Sequence, residues 1–111
     1  MAGLRYHILF APKAEEDILA LRAHDRANVL EAIEAHLRYQ PKRTSKSRIK
    51  RLEKMEWPHY RLRVGGLRVF YDVSDAQEGG AVEILLVREK NEAMQWLAEH
   101  GRRQQDEASG P

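Results

Sequence analysis

The chain has 111 residues, a formal net charge of +2 and no cysteine. That length suits a single domain with one core, and the lack of cysteine excludes disulfides, thiolate zinc sites and a cysteine nucleophile. No apolar run approaches the ~18 residues of a membrane span, and the N-terminus lacks the basic-then-apolar order of a secretory signal, so a cytoplasmic protein is expected.

Residues 5–10 read as a short strand with Tyr6, Ile8 and Phe10 on one side. Pro12 suits the first turn of a following helix, expected over residues 14–23 with Ile18, Leu19 and Leu21 inward. Glu15, Glu16 and Asp17 lie near its N-terminus, where negative charge is favoured. His24-Asp25 interrupts this pattern, and Asp25 is the expected N-cap of a second helix. There Leu30, Ile33 and Leu37 recur at helical spacing, widened by Val29 and Ala32, and Pro41 marks the end. So short a break predicts an αα-hairpin. Residues 41–54 are polar and basic, and predict a loop with a short strand or turn around residues 48–52.

The next segment, HYRLRVGGLRVFYDV over residues 59–73, reads as two alternating runs around a Gly-Gly turn, a β-hairpin. If Gly65 and Gly66 form the turn, Val64 pairs with Leu67, Arg63 with Arg68, Leu62 with Val69 and Arg61 with Phe70. Side chains alternate faces. Tyr60, Leu62, Val64, Leu67, Val69 and Tyr71 then form a core surface, and Arg61, Arg63 and Arg68 share the other face with Phe70. Residues 75–80 predict a turn. Residues 82–88 are strongly apolar and predict a central strand covered on both faces. Asn91 is the expected cap of a last helix carrying Ala93, Met94, Trp96 and Leu97.

The element order predicts an α+β fold. Its parts are a small twisted antiparallel sheet of about four strands, the αα-hairpin on one face, and a short C-terminal helix. Residues 1–100 are expected to form the single domain and residues 101–111 a disordered polar tail. The arginine face of the hairpin is expected on the side the helical pair leaves uncovered.

Charge is distributed unevenly. Between Arg38 and Arg68 stand eleven Lys/Arg and two acids, while the remainder holds eight basic and fifteen acidic residues. Such asymmetry points to an anionic partner; the plainer reading is a solvated basic loop and strand face. Guanidinium groups fork onto phosphate and stay charged at ordinary pH. Like charges directly opposite across a hairpin are unfavourable by up to roughly 1 kcal/mol, and a polyanion over that face reverses the sign. The expected RNA-binding residues are Arg43, Lys46, Arg48, Lys50, Arg51 and Lys54, with Phe70 as a stacking surface. Arginine does not act as a general base, so proton transfer points to His59 or Lys90, with Glu89 and Tyr71 as weaker candidates. The histidines show no HxxxH or HxH spacing, no nucleotide loop or nucleophile elbow is present, and no metal or cofactor is expected.

Three stretches carry a resemblance: YHILFAPKAEEDILAL, IKRLEKMEWPHYRLRVGGLRVFYDV and VEILLVREKNEAMQWL. Together they resemble the RelE/ParE superfamily of type II toxins over roughly Tyr6 to Leu97, and YRLRVGGLRVFYDV is closer to the RelE branch. The resemblance implies a small α+β domain and ribosome-dependent cleavage of messenger RNA without metal, by attack of the ribose 2′-hydroxyl on the adjacent phosphate. It implies a protein antitoxin, the ribosome and mRNA as partners. The family's two basic residues on the first hairpin strand fall on Arg61 and Arg63, its second-strand arginine on Arg68, and a basic residue after the last strand on Lys90. A proton-transferring tyrosine or histidine of the C-terminal segment falls near Trp96. In the family's best-known members the first-strand pair is lysine and one lysine is thought to be the base. Arginine keeps the phosphate grip and removes that base. Two alternatives stand beside the nuclease: a RelE-like protein that binds RNA or antitoxin without catalysis, and a ParE-like gyrase inhibitor.

Overall fold

The computed structural model describes residues 5–75 and 79–104. In chain order these form β1 (His7–Phe10), α1 (Pro12–Ala20), α2 (Ala23–Leu37), β2 (Ile49–Arg51), β3 (Met55–Trp57), β4 (Tyr60–Val64), β5 (Leu67–Ser74), β6 (Ala81–Glu89), α3 (Lys90–His100) and β7 (Arg102–Arg103). The main sheet has five strands in the order β1-β6-β5-β4-β2, antiparallel except for the β1–β6 pair. The α+β architecture expected from the sequence is therefore present, with five strands where about four were expected: β2, at the site of the expected short strand or turn, joins the outer edge of the hairpin. The segment expected to be a tail contributes β7, which pairs with β3. Residues 76–78 of the predicted turn, and the tail from residue 105, lie outside the described residues.

The hairpin has the predicted register, with Arg61 opposite Phe70, Arg63 opposite Arg68 and Val64 opposite Leu67. Gly65 has φ +58°, a backbone conformation that glycine takes without steric cost. Leu62, Val69 and Tyr71 are buried against Val29, Ile33 and Leu37 of α2 and Ile18 of α1. The strongly apolar β6 lies between β1 and β5. Its Val82, Ile84 and Val87 join this core, whereas Leu86 faces the other way.

Several sequence expectations give way to packing. The helical break falls at Leu21-Arg22, so Asp25 lies in the first turn of α2 and Arg22 occupies the N-cap. The buried stripe of α2 runs through Val29, Ile33 and Leu37; Leu30 and, on α1, Leu19 are exposed. Helix α3 starts at Lys90 behind Glu89, before the expected cap Asn91. It covers the second face of the sheet, where Phe70, Leu86 and Ala93 form a separate buried cluster with Leu52, Trp96 and Leu97 against it. Helices thus lie on both faces.

The end of β6 explains Asp17. Beyond Phe10↔Ile84, β6 has no β1 neighbour. The buried Asp17 carboxylate fills in, accepting the Val87 N–H at 3.1 Å and the Arg88 Nε at 2.8 Å. This secures α1 to the sheet edge.

Candidate functional site

Strand alternation aligns Lys50, Arg61 and Phe70 across β2, β4 and β5, and Arg63, Arg68 and Arg88 across β4, β5 and β6. These two rows share the face opposite the αα-hairpin. Helix α3 seals the Phe70 end. The uncovered remainder is a cleft of about 340 Å³ lined by Lys46, Ser47, Lys50, Arg61, Arg63, Arg68, Lys90 and Met94. Six of these eight side chains are cationic and none is acidic, so the cleft is a local sink for negative charge.

The arginines are held by neutral acceptors. Arg68, 7% exposed, donates through Nη1 to the Gly65 and Leu67 carbonyls, both at 2.9 Å. Arg61 donates through Nη2 to the Ser47 carbonyl at 3.2 Å, while its buried Nε has no hydrogen-bond partner. No carboxylate lies within salt-bridge distance of the cleft cations among the described residues. Burial first, then Arg68 and Arg63, pull the Arg61 pKa below its ordinary value; burial and then Arg63 do the same to Arg68. Both shifts mean that the charged form is under strain here, which an anion relieves. An unsatisfied buried donor costs about 1–3 kcal/mol, so Arg61 Nε is a local cost of holding this guanidinium in place.

Arg88 shares the row but not the environment. Its guanidinium turns to Asp17 and to Glu92 at 3.3 Å, and those carboxylates raise its pKa. Lys90 opens α3 at the cleft, its backbone N–H donating to the Gly66 carbonyl at 3.1 Å. No side chain caps this helix, so the positive end of its dipole adds to the cleft field.

The structure divides the sequence-predicted site. Arg61, Arg63, Arg68, Lys90, Lys46 and Lys50 come together. His59 does not: its Nδ1 lies 3.6 Å from Asp72 Oδ1, outside the cleft lining. Phe70 is fully buried beneath α3, 5.9 Å from the Trp96 ring, and is a floor rather than a stacking platform for a base. Tyr71 donates to the Pro41 carbonyl at 2.6 Å, and its burial pushes the phenol pKa up, away from proton transfer. Glu89 is exposed and outside the cleft lining. Arg51 donates to the His59 carbonyl at 2.9 Å and packs over the Tyr60 ring. Lys54 occupies a left-handed turn at φ 61°, and its carbonyl accepts from Gln104 N–H. Arg43 and Arg48 line a different hollow, with His36 and Tyr39. Trp96 packs on Phe70, Trp57 and His100; the α3 side chain that lines the cleft with Lys90 is Met94. Its position was available from helical spacing, since Met94 is four residues after Lys90 and shares its face.

The family model described as the ParE toxin of type II toxin–antitoxin systems (parDE) matches residues 8–94. The chain belongs to this toxin family. Its RelE/ParE affinity, expected from the hairpin motif, is seen again in solved structures. The RelBE2 toxin–antitoxin complex of Mycobacterium tuberculosis contains a chain 25% identical to this toxin, with TM-score 0.63, covering 78% of this chain and 100% of that one. The archaeal RelE–RelB complex of Pyrococcus horikoshii OT3 contains one 23% identical, with TM-score 0.60, covering 78% and 97%. No curated protein matches the toxin significantly.

Proposed function

We propose that this toxin is a metal-independent endoribonuclease acting on ribosome-bound messenger RNA in the cytoplasm. The observation that carries this reading is the cleft of six cations without an acid. In the proposed reaction the ribose 2′-oxygen forms a bond to the adjacent phosphorus and the bond from phosphorus to the 5′-oxygen breaks. The 2′-hydroxyl proton leaves and the 5′-oxygen gains one. Arg61, Arg63 and Arg68 hold the phosphate and stabilise the charge that builds on it. Proton transfer falls to an amine of the cleft, with Lys90 first and Lys46 and Lys50 beside it, or to a ribosomal group. His59 is out of position for it.

A cognate antitoxin is the proposed protein partner. Support comes from the family, and from the Mycobacterium relative, whose structure is a toxin–antitoxin complex. Acidic antitoxin residues meeting the cleft would neutralise it.

Two other readings have an observation each. The cleft holds no carboxylate or imidazole, which favours an RNA or antitoxin binder without catalysis. The matching family model carries the ParE description, which favours a gyrase inhibitor. One experiment separates all three: induction in a bacterial host with primer extension on a reporter message. Cleavage predicts new 5′ ends in ribosome-bound messages, lost in Arg68→Ala, since removal of one transition-state donor costs roughly 3 kcal/mol. Intact messages with growth arrest and DNA damage would support gyrase instead. Intact messages without arrest would support binding alone.

A further inference from the structure

The basic surface does not stop at the cleft. A shallower concavity of about 230 Å³ shares Ser47 and Arg63 with it and continues to Arg48. Arg48 in turn belongs to a hollow of about 370 Å³ between the C-terminal part of α2 and the following loop, lined also by His36, Tyr39, Arg43 and Ser45. Neighbouring depressions share lining residues, Ser47 and Arg63 between the first two and Arg48 between the last two, and no acidic side chain lines any of the three.

The hollow is built, not merely basic. Ser45 Oγ accepts the N–H groups of Arg48 at 3.0 Å and Ile49 at 3.3 Å, which fixes the loop. Arg48 Nη1 lies 2.7 Å from His36 Nε2. Arg43 Nη1 donates to Gln40 Oε1 at 3.0 Å. Both guanidinium groups are thus oriented by neutral partners, the same arrangement as in the cleft. Their neighbours Arg38 and Lys42 are instead bound to Glu34 and Asp75. Tyr39 stands on this rim with 55% of its surface exposed, an aromatic face with two uncancelled cations nearby. An aromatic ring beside arginines along a cationic track is the recognition chemistry of single-stranded nucleic acid.

We propose that this hollow is a second subsite for single-stranded RNA, in which Tyr39 stacks a base and Arg43 and Arg48 hold flanking phosphates. A strand whose scissile phosphate lies in the cleft reaches it over Arg63 and Ser47. The inference rests on the RNA reading of the cleft but not on cleavage there.

The test is fluorescence anisotropy of the purified full chain with a labelled trinucleotide, which fits the cleft alone, and a labelled dodecanucleotide, which spans the three depressions. Tyr39→Ala weakens the dodecanucleotide by roughly tenfold, the effect of one lost base stack, and leaves the trinucleotide unchanged. Tyr39→Phe restores binding. Arg48→Ala weakens the longer RNA in the same selective way. Equal losses on both RNAs, or none on the dodecanucleotide, overturn the subsite. So does displacement by an acidic peptide where RNA does not compete, which assigns the hollow to a protein partner. Intact messages on ribosomes together with the length-selective loss would sink the cleavage reading and leave the subsite standing. Cut messages without that loss would do the reverse.

Discussion

Two sets of cations in this toxin differ in what holds them. Outside the cleft, Arg38 is bound by Glu34, Lys42 by Asp75 and Arg88 by Asp17 and Glu92. Across the cleft, Arg68 and Arg61 are held by backbone carbonyls alone. A carboxylate orients a guanidinium and cancels its charge, whereas a carbonyl orients it and leaves the charge in place. The pKa directions follow the same division: Arg38, Lys42 and Arg88 are raised, Arg61 and Arg68 lowered. The first set is neutralised by its partners, and the second keeps its charge uncancelled.

The largest effect is expected beneath the cleft. Phe70→Ala removes a fully buried ring and should cost about 3–5 kcal/mol, read by urea denaturation. A stability loss near zero would restore Phe70 as an exposed platform. Asp17→Ala should cost about 2–3 kcal/mol, because the buried Val87 N–H loses its acceptor and Arg88 its partner. Asp17→Asn, which keeps an acceptor for Val87, should recover part of that. The opposite sign is expected in the cleft: Arg63→Gln stabilises the free toxin by up to about 1 kcal/mol by removing a charge opposed to Arg68. That gain should fade in 1 M salt, where the screening length falls to about 3 Å. A destabilised Arg63→Gln would place Arg63 in the first set.

The smallest effect concerns pH. Burial and then Arg48 lower the His36 pKa from its ordinary 6.5. A lowered histidine favours the neutral form in the folded state. Its contribution is therefore complete above about pH 6.5 and is lost as pH falls through the lower folded value. Wild type should lose stability on acidification slightly more than His36→Gln, measured by thermal unfolding between pH 7 and 5.

The hairpin was legible because its determinants are local. The glycine pair and the alternation from Tyr60 to Tyr71 set the register, and with it the face of Arg61, Arg63 and Arg68. The place of β6 inside the sheet followed from its strongly apolar sequence. What escaped reading depended on distant partners. Phe70 looks the same in sequence whether α3 lies over it or not. Arg88 has the same chemistry as Arg68, and Asp17, seventy-one residues away, with Glu92 takes it out of the cleft. Strand β2 lies within residues 48–52, where a short strand or turn was expected, but its pairing with the β4 edge, behind a loop fixed by Ser45, was not legible. The helical break at Leu21-Arg22 has no capping side chain to announce it.

The claim that uncancelled cations form the RNA surface is tested most directly by the salt dependence of single-stranded RNA binding. The slope of log K against log salt should fall by about 0.7 for each phosphate contact removed, so Arg61→Ala, Arg63→Ala and Arg68→Ala should each flatten it. Lys42→Ala, which removes a cation already bound to Asp75, should leave it unchanged. Slopes equal in all four variants, or flattened only by Lys42→Ala, would contradict the division on which this account of the site is built.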